Sequence, residues 1–324
     1  MSNWRATSTV SAAITRAAIK NRVRDYFSAR GVLEVDTPAL SIAAVSDPQI
    51  ESFVVRSQLS PERRLFLHTS PEFCMKRLLA DGYPDIYSMC RVFRDGEAGQ
   101  RHQPEFTMIE WYRLGFGLAA IIDDTLSLLA AALQQPGYAG LADQLDYAQA
   151  FMQHAGLDPM HASIDELATR AGADTDLRQA LGGDRDAWLD LLLSTVVAPR
   201  FRADRFTVLR HYPASQAALA RLCLANERVA DRFEVFIAAT ELANGYVELT
   251  DVTEQTKRID DDLQRRAKAG KPVNPTDGAL LAALREGMPE CAGVAVGLER
   301  LQMIHDDTDS IGDVVTFVFG QEHD

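Results

Sequence analysis

The sequence predicts an α+β fold, an antiparallel sheet flanked by helices, and three observations carry that prediction. Two runs rich in β-branched and aromatic residues, Tyr87–Arg94 and Phe106–Tyr112, flank a polar loop and read as paired strands. A second strand-rich stretch, Arg232–Asp251, is interrupted by Ala243-Asn244-Gly245, a turn sequence. Helical periodicity before and between them supplies the flanking layers, with no internal repeat and no linker. One domain over residues 1–324 is therefore expected.

In chain order, Val10–Arg30 carries Ile19, Val23, Tyr26 and Phe27 at helical spacing, with Ser8 or Thr9 as caps and Gly31 as the stop. Val32–Val35 is a short strand ended by Asp36-Thr37-Pro38. Arg64–His68 is a strand, followed by a helix that Thr69 or Ser70 opens with Pro71 in its first turn. Leu114–Leu133 is helical, and Pro136 to about Arg205 is loop and helix without a chemical motif. Lys257–Lys268 reads as a charged helix with a solvated face, and Ala269–Gly278 as a Pro/Gly loop. Gly293–Ile304 runs from strand into helix, and Val314–Phe319 is expected as a last strand.

Composition narrows the function classes. The chain has 33 basic and 46 acidic residues, a formal net charge of -13, which disfavours non-specific binding to nucleic acid. Cys74, Cys90, Cys223 and Cys291 are scattered, and neither they nor the histidines have zinc spacing, so reduced thiols are expected. The N-terminus lacks the apolar run of a secretory signal, and Asp123 and Asp124 interrupt the most apolar segment. A soluble cytoplasmic protein with no membrane partner is the expectation.

The chemistry concentrates in Arg91–Arg113. Period-two alternation puts Phe106, Met108, Glu110 and Tyr112 on one strand face and Thr107, Ile109 and Trp111 on the other. The intervening loop offers Arg94, Arg101 and His102 as phosphate partners, and Pro104 stiffens its return. Gly115–Ala120 fits a loose dinucleotide fingerprint, but the helix that follows is not the strand such a site needs, and no P-loop is present. Glu234, Glu241 and Glu248 recur every seventh residue. That spacing suits a solvated helix face, yet the β-branched flanks favour strands lining a cleft, where carboxylates hold a hard cation or an amine. On a regular strand Glu234 and Glu241 face opposite sides, so a bulge or bend must intervene if they share a metal.

These motifs together resemble the class II aminoacyl-tRNA synthetases. The helix, strand and proline over residues 10–38 resemble motif 1, which builds the dimer interface in that family. The run RVFRDGEAGQRHQPEFTMIEWYR resembles motif 2, closest to the lysine branch, and Gly293–Arg300 resembles motif 3. The resemblance implies ATP and Mg²⁺ as cofactors and a homodimer. It implies catalytic roles for Arg94 and Arg300, with ATP also contacted by Asp95, Gly96, His102, Gln103, Phe106, Glu241, Leu242 and Gly297. Glu234 and Glu241 would coordinate the metal. A diamino-acid substrate would be held by Ser70, Pro71, Glu72, Tyr112, Asn244, Glu248 and Ala295, with Glu72 at an amino group and Glu248 at the distal ammonium.

Only one helix precedes the motif 1 strand, which leaves no room for the anticodon-binding barrel of the lysyl-tRNA synthetases, so tRNA is not the expected acceptor. The chain instead resembles, from about residue 10 to 320, the stand-alone ligase family that activates (R)-β-lysine and transfers it to a lysine of elongation factor P. Alanine at position 295, where lysyl-tRNA synthetases generally carry glycine, fits that family and would favour a β-amino group. Two departures stand out. The family usually has Arg-Asn-Glu where this chain has Arg94-Asp95-Gly96, and asparagine where it has Gln103.

Overall fold

An eight-stranded sheet organises the molecule, and strand pairing follows from where the chain can turn. The computed structural model describes residues 4–58, 61–134, 138 and 142–320, so the Pro136 loop boundary and the ends of the chain lie outside the described residues. The first helix, α1 (Val10–Ser28), starts where the Thr9 side chain accepts from the Ala12 amide at 3.2 Å, and it buries Ile19, Val23, Tyr26 and Phe27. Gly31, at φ +68°, then turns the chain into β1 (Leu33–Glu34). Three short strands, β2 (Leu40–Ser41), β3 (Val54–Arg56) and β4 (Arg64–Leu67), make a small separate sheet. Helix α2 (Glu72–Ala80) follows, with Pro71 at its cap position and the Ser70 hydroxyl accepting from the Glu72 amide.

The expected hairpin is present as β5 (Ile86–Phe93) and β6 (Glu105–Leu114), antiparallel from Ile86↔Tyr112 to Phe93↔Glu105. Strand β6 extends to Leu114, so α3 (Leu118–Leu133) starts later than the apolar run suggests. Beyond it come β7 (Ala142–Asp146), α4 (Tyr147–His154), α5 (Ile164–Arg170), α6 (Thr175–Leu181) and α7 (Arg185–Leu192), then β8 (Phe206–Arg210). Strands β9 (Leu222–Cys223) and β10 (Asn226–Ala230) pair with each other, and β11 (Arg232–Ile237) and β12 (Thr240–Val247) form a second hairpin. The chain closes with α8 (Val252–Lys268), α9 (Gly278–Gly287), β13 (Cys291–Gly297) and α10 (Leu298–His305).

Sheet order is β1-β5-β6-β13-β12-β11-β8-β7. The six central strands pair antiparallel as expected, while β1 pairs parallel with β5 and β7 parallel with β8. Both edges are reached through long connections, the β7–β8 one containing four helices, which is what parallel pairing requires. On one sheet face, α1, α3 and α10 bury Ile109, Trp111, Val294 and Val296, with the Phe27 ring stacked on Tyr87 at 4.3 Å. Burial of this kind contributes about 1.5–3 kcal/mol per large side chain and fixes the register of β6, because a one-residue slip would expose Trp111. The opposite face of the central strands is left for the site.

Three local expectations change. The Asn244-Gly245 pair is not a turn: β12 runs straight through it, and the hairpin turns at Ala238-Ala239, with Ala238 at φ +47°. Gly245 answers to packing instead, since a Cβ there would lie 2.8 Å from the Phe233 ring and Val294. Val314–Phe319 forms turns and bends, not a strand; Val314 and Val315 pack with Met303 and Ile311 in a small cluster, and no ladder partner lies alongside among the described residues. Helix α8 is not simply a solvated face, because the Arg266 side chain is fully buried. It donates to the carbonyls of Asp47, Ile50 and Pro272 and pairs with Glu51 at 2.6 Å, tying down the 45–50 loop.

Candidate active site on the open face of the sheet

Alternation on three neighbouring strands supplies the floor of a cavity of about 590 Å³. Strand β6 contributes Phe106, Met108, Glu110 and Tyr112; β13 contributes Gly293, Ala295 and Gly297; β12 contributes Asn244 and Tyr246, with Glu248 just beyond its end. The register aligns them, with Ala295 opposite Glu110 on one side and Asn244 on the other. The β11–β12 hairpin carries a register shift between Val235 and Phe236, the irregularity that sequence spacing requires for Glu234 and Glu241 to share a face. Both carboxylates line the cavity.

At one end lies a buried polar cluster. Glu110 accepts from the Ser70 hydroxyl and the Tyr112 hydroxyl, each at 2.7 Å. Glu72 accepts from the Tyr246 hydroxyl at 2.8 Å and from Lys76 at 2.6 Å. Lys76 Nζ also lies 2.5 Å from Glu248 Oε2. Glu248 Oε1 accepts no hydrogen bond and lies close to Gly293, where a Cβ would fall 2.4 Å from it. Burial, with the neighbouring Glu72 carboxylate adding to it, pushes the Glu110 carboxyl up to about 7. Burial also pushes Glu248 up, and Lys76 draws it back toward the anion. Lys76 is itself held charged by Glu248 and Glu72 against its own burial.

At the other end the groups are cationic and more open. Arg94 lies 5.1 Å over the Phe106 ring and 3.6 Å from Glu97, and its Nε is a buried donor without a partner. Arg300, in the first turn of α10, donates to the Glu241 carbonyl at 3.1 Å and to His102 Nε2 at 2.7 Å. Burial first and Arg300 second hold His102 below its usual range, so the neutral ring accepts through Nε2. Burial and the Glu241 carboxylate push Glu234 up to about 7, against the pull of Arg232 at 2.6 Å. Two hard oxygen donors repelling each other this way fit a divalent cation.

Of the residues expected from sequence, Ser70, Glu72, Arg94, His102, Gln103, Phe106, Tyr112, Glu234, Glu241, Leu242, Asn244, Glu248, Ala295, Gly297 and Arg300 all line this one cavity. Pro71, Asp95 and Gly96 do not. Pro71 serves as the cap of α2, while Asp95 and Gly96 point into solvent, Gly96 at φ +80°. Glu97 lines the cavity in their place. Sequence reasoning placed Glu110 on the correct strand face without giving it a role, and it missed Lys76, Tyr246, Arg232, Asp186 and Asp190. The last two come from α7 and reach the cavity only through the tertiary fold. Outside the cavity, His211, Cys223 and Asp231 offer atoms within 4.8 Å of one another. Asp231 already pairs with Arg221 and His211 with Asp146, each at 2.9 Å, so charge there is balanced without a cation.

Comparison with known proteins gives the family. Residues 1–321 match the family described as tRNA synthetases class II (D, K and N). The chain is 42% identical to the elongation factor P--(R)-beta-lysine ligase of Edwardsiella ictaluri over 322 residues, covering 98% of each chain. It is 41% identical to the ligase of that name from Pasteurella multocida and 42% identical to that of Klebsiella pneumoniae strain 342, with 97% of each chain covered. With matches of this extent, the chain belongs to the class II tRNA synthetase family and, within it, to the elongation factor P--(R)-beta-lysine ligases.

Proposed function

We propose that the protein is an ATP-dependent ligase that activates (R)-β-lysine as an aminoacyl-adenylate and transfers it to a lysine ε-amino group of elongation factor P. The observation that carries this reading is the unpartnered Glu248 Oε1, a buried carboxylate oxygen at the closed end of a cavity that also holds Glu72 and Glu110. An oxygen in that position calls for a donor from a ligand, and an ammonium supplies one. The relatives are named for (R)-β-lysine, an amino acid with two amino groups, and this end of the cavity offers three carboxylates to receive them.

The residues divide the work by charge. Glu248 and Tyr112 receive the distal ammonium, Glu72 and Glu110 the amino group nearer the carboxylate, and Asn244 the space between. The substrate carboxylate is thereby directed toward Arg94. There one of its oxygens bonds to the α-phosphorus of ATP as the bond to pyrophosphate breaks. Arg94 and Arg300 neutralise charge that grows on the phosphates, Phe106 offers its ring to adenine, and Gly297 lets the backbone come close. Glu234 and Glu241 would hold Mg²⁺, which supplies further neutralisation of phosphate charge when bound. The acceptor amine then bonds to the activated carbonyl carbon, and AMP leaves. The Ala295 methyl, between Glu110 and Asn244 in register, narrows the space at the amino end and favours the β-amino isomer.

Two further expectations accompany this reading. Val10, Ile14 and Leu33 are exposed apolar residues in the region that resembles motif 1, Leu40, Ile42 and Val54 are exposed in the strands that follow it, and a second copy of the chain is expected to cover them. A monomeric mass in solution at micromolar concentration would remove that expectation. Among the described residues no helix is long and apolar enough to cross a membrane, and the acceptor places the work in the cytoplasm.

The test is one panel. The protein is incubated with ATP, each lysine isomer, and either elongation factor P or tRNA, and the acceptor is weighed by mass spectrometry. A β-lysyl mass increment on elongation factor P is expected; charging of tRNA without that increment would sink the reading.

A further inference from the structure

Lys76 lines no part of the cavity, yet it is the cation nearest the closed end. It follows Glu72 by one turn on α2, so its Nζ sits 2.6 Å from Glu72 Oε1 and 2.5 Å from Glu248 Oε2. It thus joins the carboxylate at the substrate's amino end to the one at the distal end. Its side chain is 2% exposed. The titratable groups facing it come from every packed element: Glu72 on its own helix, Glu110 and Tyr112 on β6, Tyr246 and Glu248 on and just after β12, and Cys291 on β13. The Tyr246 ring centroid lies 5.6 Å from Nζ while its hydroxyl fixes Glu72.

A buried ion pair of this kind is rarely the most stable filling for its volume, since a hydrocarbon there is often at least as stable. Three carboxylates confined together without a cation would share protons, because like charges at close range cannot all ionise. Once all three of Glu72, Glu110 and Glu248 are ionised, one lysine among them leaves two net negative charges, the complement of a molecule with two ammonium groups. We infer that Lys76 is a positioning residue: by bridging Glu72 and Glu248 it aims both carboxylates into the cavity and lowers the number of protons the pocket must release to accept a doubly cationic amino acid. The inference rests on the functional reading above and specifies how its substrate pocket is kept ready.

Lys76→Met, close in shape and neutral, tests it. Binding of (R)-β-lysine is measured by titration calorimetry at pH 7 in two buffers of different ionisation enthalpy, alongside pyrophosphate-exchange kinetics from pH 6.5 to 8.5. The variant is expected to release about one more proton on binding than the wild type. Its KM for the diamino acid should rise about tenfold at pH 7 and fall back toward the wild-type value as pH rises, with kcat and the KM for ATP changed by less than about twofold. Equal proton release and parallel pH profiles would overturn the inference. If Lys76→Met fails to fold, Lys76→Met/Glu248→Gln removes the cation together with one carboxylate. Recovery of a folded protein in the double variant supports the bridge, and equal failure of both assigns Lys76 to the core alone. If the wild type binds no diamino acid, the functional reading fails, and the thermal midpoints of the single and double variants still decide whether Lys76 holds the two carboxylates.

Discussion

At the closed end of the cavity, proposed for the amino acid, the Glu248 side chain is 0% exposed and Lys76 2%, whereas at the open end, proposed for the nucleotide, Arg94 keeps 25%, Arg300 27% and Glu241 39% of their side chains in contact with solvent. The same sheet face therefore carries two electrostatic regimes. Buried charges act through a low effective dielectric and are felt strongly by a ligand and by pH, while half-exposed charges are screened and free to re-aim. The closed end is pre-paired before any substrate arrives, as the chain from Tyr246 through Glu72 and Lys76 to Glu248 demonstrates. The open end keeps loose contacts, such as the 3.6 Å between Arg94 and Glu97, that a phosphate can replace.

The largest effect is expected where a screened residue becomes essential only during the reaction. Arg94→Ala should lower pyrophosphate exchange by about a thousandfold while leaving binding of the diamino acid unchanged by calorimetry. Near-normal exchange in that variant would mean that the motif 2 arginine has been misassigned. Glu248→Gln should do the reverse. Loss of the buried carboxylate is expected to raise the KM for (R)-β-lysine by about a hundredfold, ~3 kcal/mol, with the KM for ATP unchanged. If both constants move together in both variants, the two ends are not separate and the comparison breaks. Ala295→Gly is milder: opening one methyl's space should reduce discrimination between (R)-β-lysine and α-lysine by about tenfold, within the ~1–3 kcal/mol that a methyl contributes.

Burial raises carboxyls at both ends of the cavity. Burial pushes Glu110 and Glu234 up to about 7 and Glu248 to about 8, so each carboxyl binds its proton more tightly folded than unfolded. Such groups stabilise the folded chain relative to its ionised form below the ordinary carboxylate range, and that contribution is lost as pH rises from about 4.5 to about 8. The thermal midpoint of the unliganded protein should fall across that window. Saturating diamino acid should flatten the fall through Glu110 and Glu248, and Mg²⁺ with ATP through Glu234. A midpoint that rises over the same window would show that these carboxyls are ionised and well paired in the folded state.

What was legible in the sequence follows the same division between local and distant causes. The alternation of β6 could be read because each face has a consistent environment, core on the Ile109 and Trp111 side and cavity on the Phe106, Glu110 and Tyr112 side. The Glu234–Glu241 bulge was legible as a condition, since period two forbids the shared face without it. The turn at Asn244-Gly245 was misread because its local propensity yields to the Phe233 ring, which needs a residue without Cβ opposite it. The actual turn, Ala238-Ala239, carries no turn chemistry at all. Lys76 could be paired with Glu72 from helical spacing, but its second partner sits on a strand that only the fold brings near. Asp186 and Asp190 were invisible for the same reason, since α7 reaches the cavity through the crossover between the parallel strands β7 and β8.

The smallest predicted effect concerns Gly96, where the family usually carries glutamate. Its backbone sits at φ +80°, and a Cβ there would meet nothing within 4 Å, so strain is the only local cost of a side chain. That cost is about 1 kcal/mol for a non-glycine residue. Gly96 is solvent-exposed and outside the cavity, whereas Glu97 lines the cavity and faces Arg94. Gly96→Glu should therefore lower the thermal midpoint by a few degrees and leave the KM for ATP within about twofold. Glu97→Ala should raise that KM by about threefold to tenfold, the range of a partly exposed charged contact, because Arg94 loses the carboxylate that holds it over Phe106. Improvement of ATP binding in Gly96→Glu, with Glu97→Ala silent, would return the adenine-side carboxylate to position 96 and make the nucleotide end less tolerant of sequence change than its exposure suggests.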